Sequence, residues 1–366
     1  MPTSVLIVGA GIIGTALADR LAPHSTVTLL DASEPGSGTT ATSLAWINAN
    51  SPQPSTYHAL RTEALRPWDR LSAEFGRPTW YQPTGNLTWS NTGDDLANRV
   101  AALAAAGYPA QLLTRDAARK TEPHLDLPPA ATVAHFPLEG HIHGQEAAQA
   151  LAGRAVERGA HLVRGTGAEL ITSGTAVTGV RLDNGTTVTA DITVCAAGWR
   201  TPDLLATIGT TLPVHDPRVP GSTTQCMVAA TTPTSRRLVR GVVHGPDLYM
   251  RHSLTGGLVL EARDTDTATD HTTTQAELDE RAGELLARAR SRLPELEDVR
   301  IHKARRCIRP MPLDGLPLTG QIRPGLYTAF THSGITLAAL LADLISNDLL
   351  HGTDSLADYR PSRASG

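Results

Sequence analysis

The spacing of hydrophobic and polar positions changes period several times along the chain. Residues 4–8 form a continuous apolar run that reads as a buried strand, and the apolar spacing through 14–22, stopped by Pro23, reads as a helix. A second strand is expected at 26–30. Helical spacing returns at 54–75 through Tyr57, Leu60, Ala64, Leu65, Trp68 and Leu71, which are expected to pack as core. Trp46, Tyr57 and His58 are pocket candidates, with packing the favoured role. A short strand at 85–89 and a helix at 95–106 complete an insertion over residues 51–131.

Beyond the insertion, 145–159 is helical, and 160–164 and 167–171 are strand-like. Residues 177–182 and 188–190 form a hairpin about Asp183-Asn184-Gly185, because Asn-Gly supplies the positive φ angles of a tight turn. A buried strand at 191–194 runs into Cys195-Ala196-Ala197-Gly198-Trp199. Between 218 and 263, β-rich runs at 225–229, 238–243, 247–251 and 257–262 alternate with turns, an antiparallel pattern. Residues 276–293 make an amphipathic helix with a solvated face. A last strand at 326–330 opens an apolar helix at about 337–350, and the tail 355–366 is expected to fray. Segments 51–131 and 218–304 thus form a second domain interleaved with a first one made of 1–50, 132–217 and 305–366.

Composition narrows the classes. With 366 residues, 40% hydrophobic and 19% charged, the chain can bury one large core or two smaller ones, as a globular enzyme does. A net charge of −4 and no long basic run argue against nucleic acid and anionic membranes as partners. Cys195, Cys226 and Cys307 form no CxxC pair, so no metal site and no redox dithiol is expected, and a reducing compartment fits. The N-terminal apolar run has no basic stretch before it and leads into glycines rather than a cleavage site. No apolar run reaches transmembrane length. The expected location is the cytoplasm.

Candidate chemistry begins directly after the first strand. In Gly9-Ala10-Gly11-Ile12-Ile13-Gly14, the first glycine allows a tight turn, the second lets a pyrophosphate approach the backbone, and the third lets the helix lie close to the sheet. Asp31, about twenty residues on, can accept both ribose hydroxyls and argues against a 2′-phosphate, leaving NAD or FAD. The run Gly36 to Trp46 is rich in small hydroxylated residues that bring backbone amides near a phosphate or a flat ring, although a flexible loop has the same composition. Ala196-Ala197-Gly198 again permits close approach, and the helix start at Thr331-His332-Ser333-Gly334-Ile335-Thr336 presents backbone N–H groups and a positive dipole end. An extended cofactor touched by such distant segments suits FAD better than NAD.

In these motifs the chain resembles the FAD-dependent amine and amino-acid oxidase family, which includes D-amino-acid oxidases and dehydrogenases, glycine oxidase and monomeric sarcosine oxidase. The resemblance spans nearly the whole chain, through GAGIIG with Asp31, GSGTTATSLA, Asp191 to Trp199, CIRPMPLDGLP and THSGITLAALLADLI. It implies a mixed α/β (α+β) fold, in which an FAD-binding Rossmann-like domain is interleaved with a substrate domain built on an antiparallel sheet. FAD contacts are then expected from Gly9, Gly11, Ile12, Ile13, Gly14, Asp31, Ala32, Gly38, Thr39, Thr40, Thr42, Ser43, Leu44, Ala168, Ala197, Gly198, Trp199, Arg309, His332, Ser333, Gly334, Ile335 and Thr336.

Arg309 matches the arginine that holds the substrate carboxylate, a task suited to a planar, always-charged guanidinium. A structural ion pair is its alternative role, and Arg305 and Arg306 are expected to face solvent or serve structure. Tyr249 matches a pocket-lining strand position, with packing as its alternative, and His332 falls near the flavin or caps the helix. Cys307 stands where sarcosine oxidase attaches its flavin, but the Arg-Pro feature belongs to members with non-covalent flavin, and a buried cysteine commonly packs. The strand where sarcosine oxidase carries an oxygen-activating lysine offers Val259, which weakens an oxidase reading against a dehydrogenase.

The implied activity is oxidation of a carboxylated amine or amino acid to an imine by hydride transfer to flavin N5, with O2 or another acceptor taking the electrons. The rivals are an accessory flavoprotein subunit and a flavin monooxygenase, whose usual Gly-Asp is replaced here by Thr331-His332. A disulfide reductase lacks its CxxC pair. Assembly into a homo-oligomer stays open.

Overall fold

The structure is a computed structural model that describes residues 3–365, with the side chains of 364 and 365 left aside. The ends of the expected segments 1–50 and 305–366 therefore lie outside the described residues. The chain divides into two units, one of Met1–Ala41, Gly144–Asp216 and Ile308–Gly366, the other of Thr42–His143 and Pro217–Cys307. Residues 42–50 and 132–143, expected in the first domain, belong to the second unit, and so do 217 and 305–307. The reason is hydrogen bonding. Trp46–Ile47 and Tyr81–Gln82 both pair with Gly140–Ile142, and Thr132–Phe136 pairs with Asn86–Ser90.

The first unit is built on a six-stranded sheet in the order Leu318–Arg323, Leu326–Phe330, Ile192–Cys195, Ser4–Val8, Thr26–Asp31, His161–Arg164. All neighbours run parallel except the edge strand Leu318–Arg323. Parallel strands covered on both faces read as continuous apolar runs, which is why residues 4–8 showed no alternation. One face receives the small antiparallel sheet Ala168–Ser173, Ala176–Leu182, Thr187–Thr189, whose Leu170, Val177 and Val180 pack on Leu6, Val8 and Leu30. Helix Ile12–Leu21 packs with Gly144–Glu157 and with Gly334–His351. Asp19, fully buried, clamps the first pair by accepting from Arg154 Nε at 2.7 Å and Nη2 at 2.6 Å.

Two expectations change in this unit. Among the described residues, helix Gly334–His351 has the length and mean hydropathy of a membrane span, 18 residues and 1.2, where no such run was expected. Its apolar composition is accounted for by the buried face Leu337–Ala342 and Ile345 packed in the core with helix Ile12–Leu21. The tail expected to fray is instead packed over its described residues up to 363. Leu356 and Tyr359 are buried, and Arg363 donates to Asp314 Oδ2 at 3.0 Å and to the Leu316 carbonyl at 3.3 Å.

The second unit carries an eight-stranded sheet in the order Ile301–Ile308, Gln225–Thr231, Leu258–Glu261, Tyr249–His252, Val242–His244, Asn86–Ser90, Thr132–Phe136, Gln111–Leu113. Its middle is not antiparallel as expected, because Val242–His244 lies parallel to Asn86–Ser90 where the two inserted segments meet. The strand expected at 238–243 begins only at Val242, and Leu238 and Val239 are buried in the preceding loop. Side chains alternate across the sheet. Leu87, Val243, Met250, Leu258 and Leu260 share a core with Leu278, Leu285 and Leu286 of helix Gln275–Arg292. The opposite face receives His244, Tyr249, Arg251, Val259 and Glu261, joined by register.

Candidate functional site

The geometry of the glycine loop assigns each glycine a separate task. Gly9 has φ +113° and donates its N–H to the Leu30 carbonyl at 2.7 Å, and a Cβ there would come within 2.4 Å of the Ala196 carbonyl. A Cβ on Gly14 would lie 1.8 Å from the Gly9 carbonyl oxygen, so helix and loop touch backbone to backbone. Gly11 differs, since its Cβ would meet only Thr40 Oγ1 at 3.5 Å. Gly11 gives helix Ile12–Leu21 no side-chain cap, and the Ile12 N–H donates to Thr40 Oγ1 at 3.1 Å. The space beside this helix start is therefore left open by the missing Gly11 side chain.

Asp31 is fixed at the end of its strand. Its Oδ2 accepts from the Ala10 N–H at 2.6 Å and its Oδ1 from the Ser33 N–H at 2.8 Å, so each oxygen keeps room for a further donor. Ala32 beside it is exposed. The loop that follows is held by the Gly36 N–H, which donates to the Ala10 carbonyl at 2.8 Å, and turns through a short 3-10 helix Thr39–Ala41. Gly38 has open space where a Cβ would stand, whereas the Thr40 carbonyl is pressed against Gly144, whose Cβ would come within 2.3 Å. Thr39 Oγ1 donates to the Ile308 carbonyl at 2.6 Å. That bond ties the hydroxyl-rich loop to the residue preceding Arg309.

Two further segments meet the same loop. Ala196 and Ala197 lie against Gly9, and Gly198, at φ +57°, turns the chain into the 3-10 helix Gly198–Arg200, where the Arg200 guanidinium covers the Trp199 ring at 4.4 Å. Helix Gly334–His351 starts at Ser333, which offers no side-chain cap, and a Cβ on Gly334 would touch Ile13 Cδ1 at 3.4 Å. Two helix N-termini without side-chain caps are thus neighbours, and their dipoles, with the Ile13 amide between them, could hold an anionic group such as a pyrophosphate. His332 is exposed in the turn before this helix, with the buried Thr331 hydroxyl accepting from the Ser333 N–H at 3.2 Å. Ala168 stands apart, because its methyl packs on the Leu6–Leu30–Leu170 cluster. Arg309 is partly buried. Among the described residues no group of His, Cys, Asp and Glu is placed to bind a metal.

Thr42, Ser43, Leu44, Tyr249 and Cys307 fall in the second unit. The Leu44 carbonyl accepts from Arg251 Nε. Arg251 faces Val259 across the strand pair, so this face of the sheet carries a cation one strand away from the position expected to lack one. Tyr249 stacks on His244 with ring centroids 3.6 Å apart and planes 5° apart, and the His244 ring also lies 4.6 Å from Trp46. Burial raises the Tyr249 hydroxyl above its ordinary value, and burial with the nearby Arg99 lowers His244 to about 3, which leaves both rings neutral at ordinary pH. Cys307 is 2% exposed, and its carbonyl accepts from Cys226 Sγ at 3.6 Å within the sheet, the environment of a packing cysteine.

Other polar residues of this unit carried no signal of their own in the sequence. Glu139 is fully buried and accepts four hydrogen bonds: Oε2 from Trp46 Nε1 at 3.0 Å and Asn50 Nδ2 at 3.1 Å, and Oε1 from the Tyr108 hydroxyl at 2.9 Å and the Ala49 N–H at 3.1 Å. Burial pushes its carboxyl up to about 8 against the pull of these donors. His143 lies 3.4 Å from Arg251 Nη1, and burial together with that guanidinium lowers it to about 3. Tyr57 and His58 are buried, as packing residues would be.

The comparisons decide what this arrangement belongs to. The family model described as FAD dependent oxidoreductase matches residues 4–347. The chain belongs to that family. Its cofactor is accordingly FAD, and the loop left open at Gly11, the carboxylate of Asp31 and the paired helix starts fit a dinucleotide. The chain is 28% identical to glycine oxidase from Geobacillus kaustophilus over an alignment of 385 residues, covering 98% of this chain and 95% of that protein. Its fold superposes on the crystal structure of glycine oxidase from Geobacillus kaustophilus with a TM-score of 0.82 at 24% identity, covering 99% of each chain. L-proline dehydrogenase from P. horikoshii gives 0.82 at 21% identity, with 100% of this chain and 98% of that one covered. This oxidoreductase thus shares one fold with enzymes named for different amines.

Proposed function

We propose that the chain oxidises the C–N bond of a small amino acid, or a related carboxylated amine, to the imine. The observation that carries the reading is the bond from Thr39 Oγ1 to the Ile308 carbonyl, because it holds the segment bearing Arg309 against the loop next to the FAD-fitting helix starts. The names of the full-length relatives, glycine oxidase and L-proline dehydrogenase, support an amino acid as substrate. FAD, when bound, supplies the acceptor for a hydride from the substrate Cα.

The protein's own groups bind and orient. Asp31 accepts the ribose hydroxyls with the lone pairs left by Ala10 and Ser33, and the Ile13 amide and the positive ends of the two helix dipoles favour the charged oxygens of the cofactor. In the first unit Arg309 is suited to hold the substrate carboxylate through a bidentate pair, and in the second unit Tyr249 offers a hydroxyl that donates to a carboxylate. Fixing the carboxylate directs the Cα–H bond, so the contribution to rate is one of positioning. The flavin is held without a covalent bond, in keeping with the packing environment of Cys307. Water then hydrolyses the released imine.

The test is anaerobic bleaching of the flavin absorbance with glycine, N-methylglycine and L-proline, set beside methylamine and pyrrolidine, which lack the carboxylate. Only the carboxylated amines should bleach it. Arg309→Ala should raise the substrate concentration required by about 10- to 100-fold, as loss of a charged hydrogen-bonded pair does. Equal bleaching by methylamine, or an unaltered response in Arg309→Ala, refutes the assignment. Admitting air or an artificial acceptor to the reduced sample then identifies the second half-reaction.

A further inference from the structure

The Tyr249 ring is held in a way that its own hydroxyl does not explain. Among the described residues that hydroxyl has no hydrogen-bond partner, so the ring is placed by its flat contacts. Strand Val242–His244 pairs antiparallel with Tyr249–His252 in a register that sets His244 directly opposite Tyr249. The turn between them closes with the Gly245 N–H on the Leu248 carbonyl at 2.8 Å, and a Cβ at Gly245 would strike Trp89 at 2.1 Å. This turn therefore requires glycine, and it delivers both rings to one face of the sheet.

On that face the rings lie parallel at 3.6 Å, closer than aromatic pairs usually come. Trp46 bears on the same imidazole at 4.6 Å, tilted by 34°. The indole cannot swing away, because its N–H is bound to Glu139, which three other donors fix in a fully buried position. We propose that His244, backed by Trp46 and Glu139, is a positioning residue that fixes the Tyr249 hydroxyl for the substrate carboxylate. This inference rests on the assignment of Tyr249 to carboxylate binding made above. His244 acts through its ring face and passes no proton.

The experiment uses the FAD-loaded enzyme with glycine as substrate and acetate as a non-oxidisable carboxylate, the latter titrated by its perturbation of the flavin spectrum. His244→Ala should raise the glycine KM and the acetate Kd by about 3- to 10-fold, with kcat held within about threefold. His244→Phe, which keeps a flat ring but no titratable nitrogen, should bring both back toward wild type and leave the dependence of KM on pH unchanged. His244→Leu replaces the first variant if that one does not fold, because it fills the volume without a ring face and should show the same loss. A kcat that collapses in His244→Phe would mean proton transfer and overturn the inference. Tyr249→Phe separates the two levels. If it raises the acetate Kd while His244→Ala and His244→Leu do not, only the positioning role fails, and if it changes nothing, the role of Tyr249 fails and the inference falls with it.

Discussion

Gly11 and Gly14 offer a test in which fold and cofactor binding come apart. An alanine at position 14 would put Cβ 1.8 Å from the Gly9 carbonyl oxygen, so the helix start and the loop must separate by about 1.6 Å to reach ordinary contact. Neither side can yield cheaply. Gly9 is held at φ +113° by its bond to the Leu30 carbonyl and by Ala196 against it, while helix Ile12–Leu21 is clamped through Asp19 to Arg154. Overpacking commonly costs about 1–3 kcal/mol, and because the obstacle here is backbone the expected loss is at least about 3 kcal/mol. At position 11 the same methyl meets one hydroxyl at 3.5 Å, and the backbone at φ −69° suits any residue. Gly11→Ala should therefore fold within about 1 kcal/mol of wild type yet bind FAD about 10- to 100-fold more weakly, since the methyl fills the approach to the helix amides. Urea unfolding of the flavin-free protein followed by tryptophan fluorescence measures the first quantity, and titration with FAD the second. A Gly14→Ala protein as stable as wild type would refute the packing argument, and a Gly11→Ala protein with wild-type FAD affinity would refute the placement of the cofactor.

Two more outcomes follow from buried groups. His143 is neutral in the fold with its pKa lowered to about 3, whereas an unfolded imidazole gains its proton near pH 6.5, so its contribution to stability is complete above that pH and is lost as pH falls toward 3. Urea midpoints taken from pH 7 to 4.5 should fall less steeply in His143→Gln, by about 2–3 kcal/mol over that range, and parallel curves would show that another group dominates the acid limb. Because Cys307 is 2% exposed within its sheet, acid precipitation of the native holoprotein should leave all flavin in the supernatant, and intact-mass measurement should find no added flavin mass.

How much of this was legible along the chain depended on how locally each feature is encoded. The apolar run at 4–8, the three glycines and Asp31 lie within one strand-helix-strand unit, so periodicity and spacing were sufficient to find them. The boundary between the units was not local in this sense. Trp46–Ile47 and Tyr81–Gln82 are two residues long, too short to show a period, and only their bonds to Gly140–Ile142 put 42–50 and 132–143 in the second unit. The tail read as polar and free because its anchors, Leu356 and Tyr359, are isolated apolar residues whose partners lie earlier in the chain.

The same reasoning explains why a motif pointed to Tyr249 and not to its neighbours. A motif marks a residue whose chemistry is shared, but the residues that hold it in place answer to register, and register is fixed by the turn at Gly245 and by pairing with Asn86–Ser90. A slip of one residue between the two strands that carried His244 to the core face beside Met250 would put Val243 against Arg251. The apolar alternation of Val243, Met250, Leu258 and Leu260, all fully buried, opposes that slip, because it would expose each of them in turn. The hydrophobic core under helix Gln275–Arg292 thus determines which face presents His244, Tyr249 and Arg251. Substitutions in that core that loosen register, such as Val243→Ser, should then disturb carboxylate affinity without touching any residue that meets the substrate.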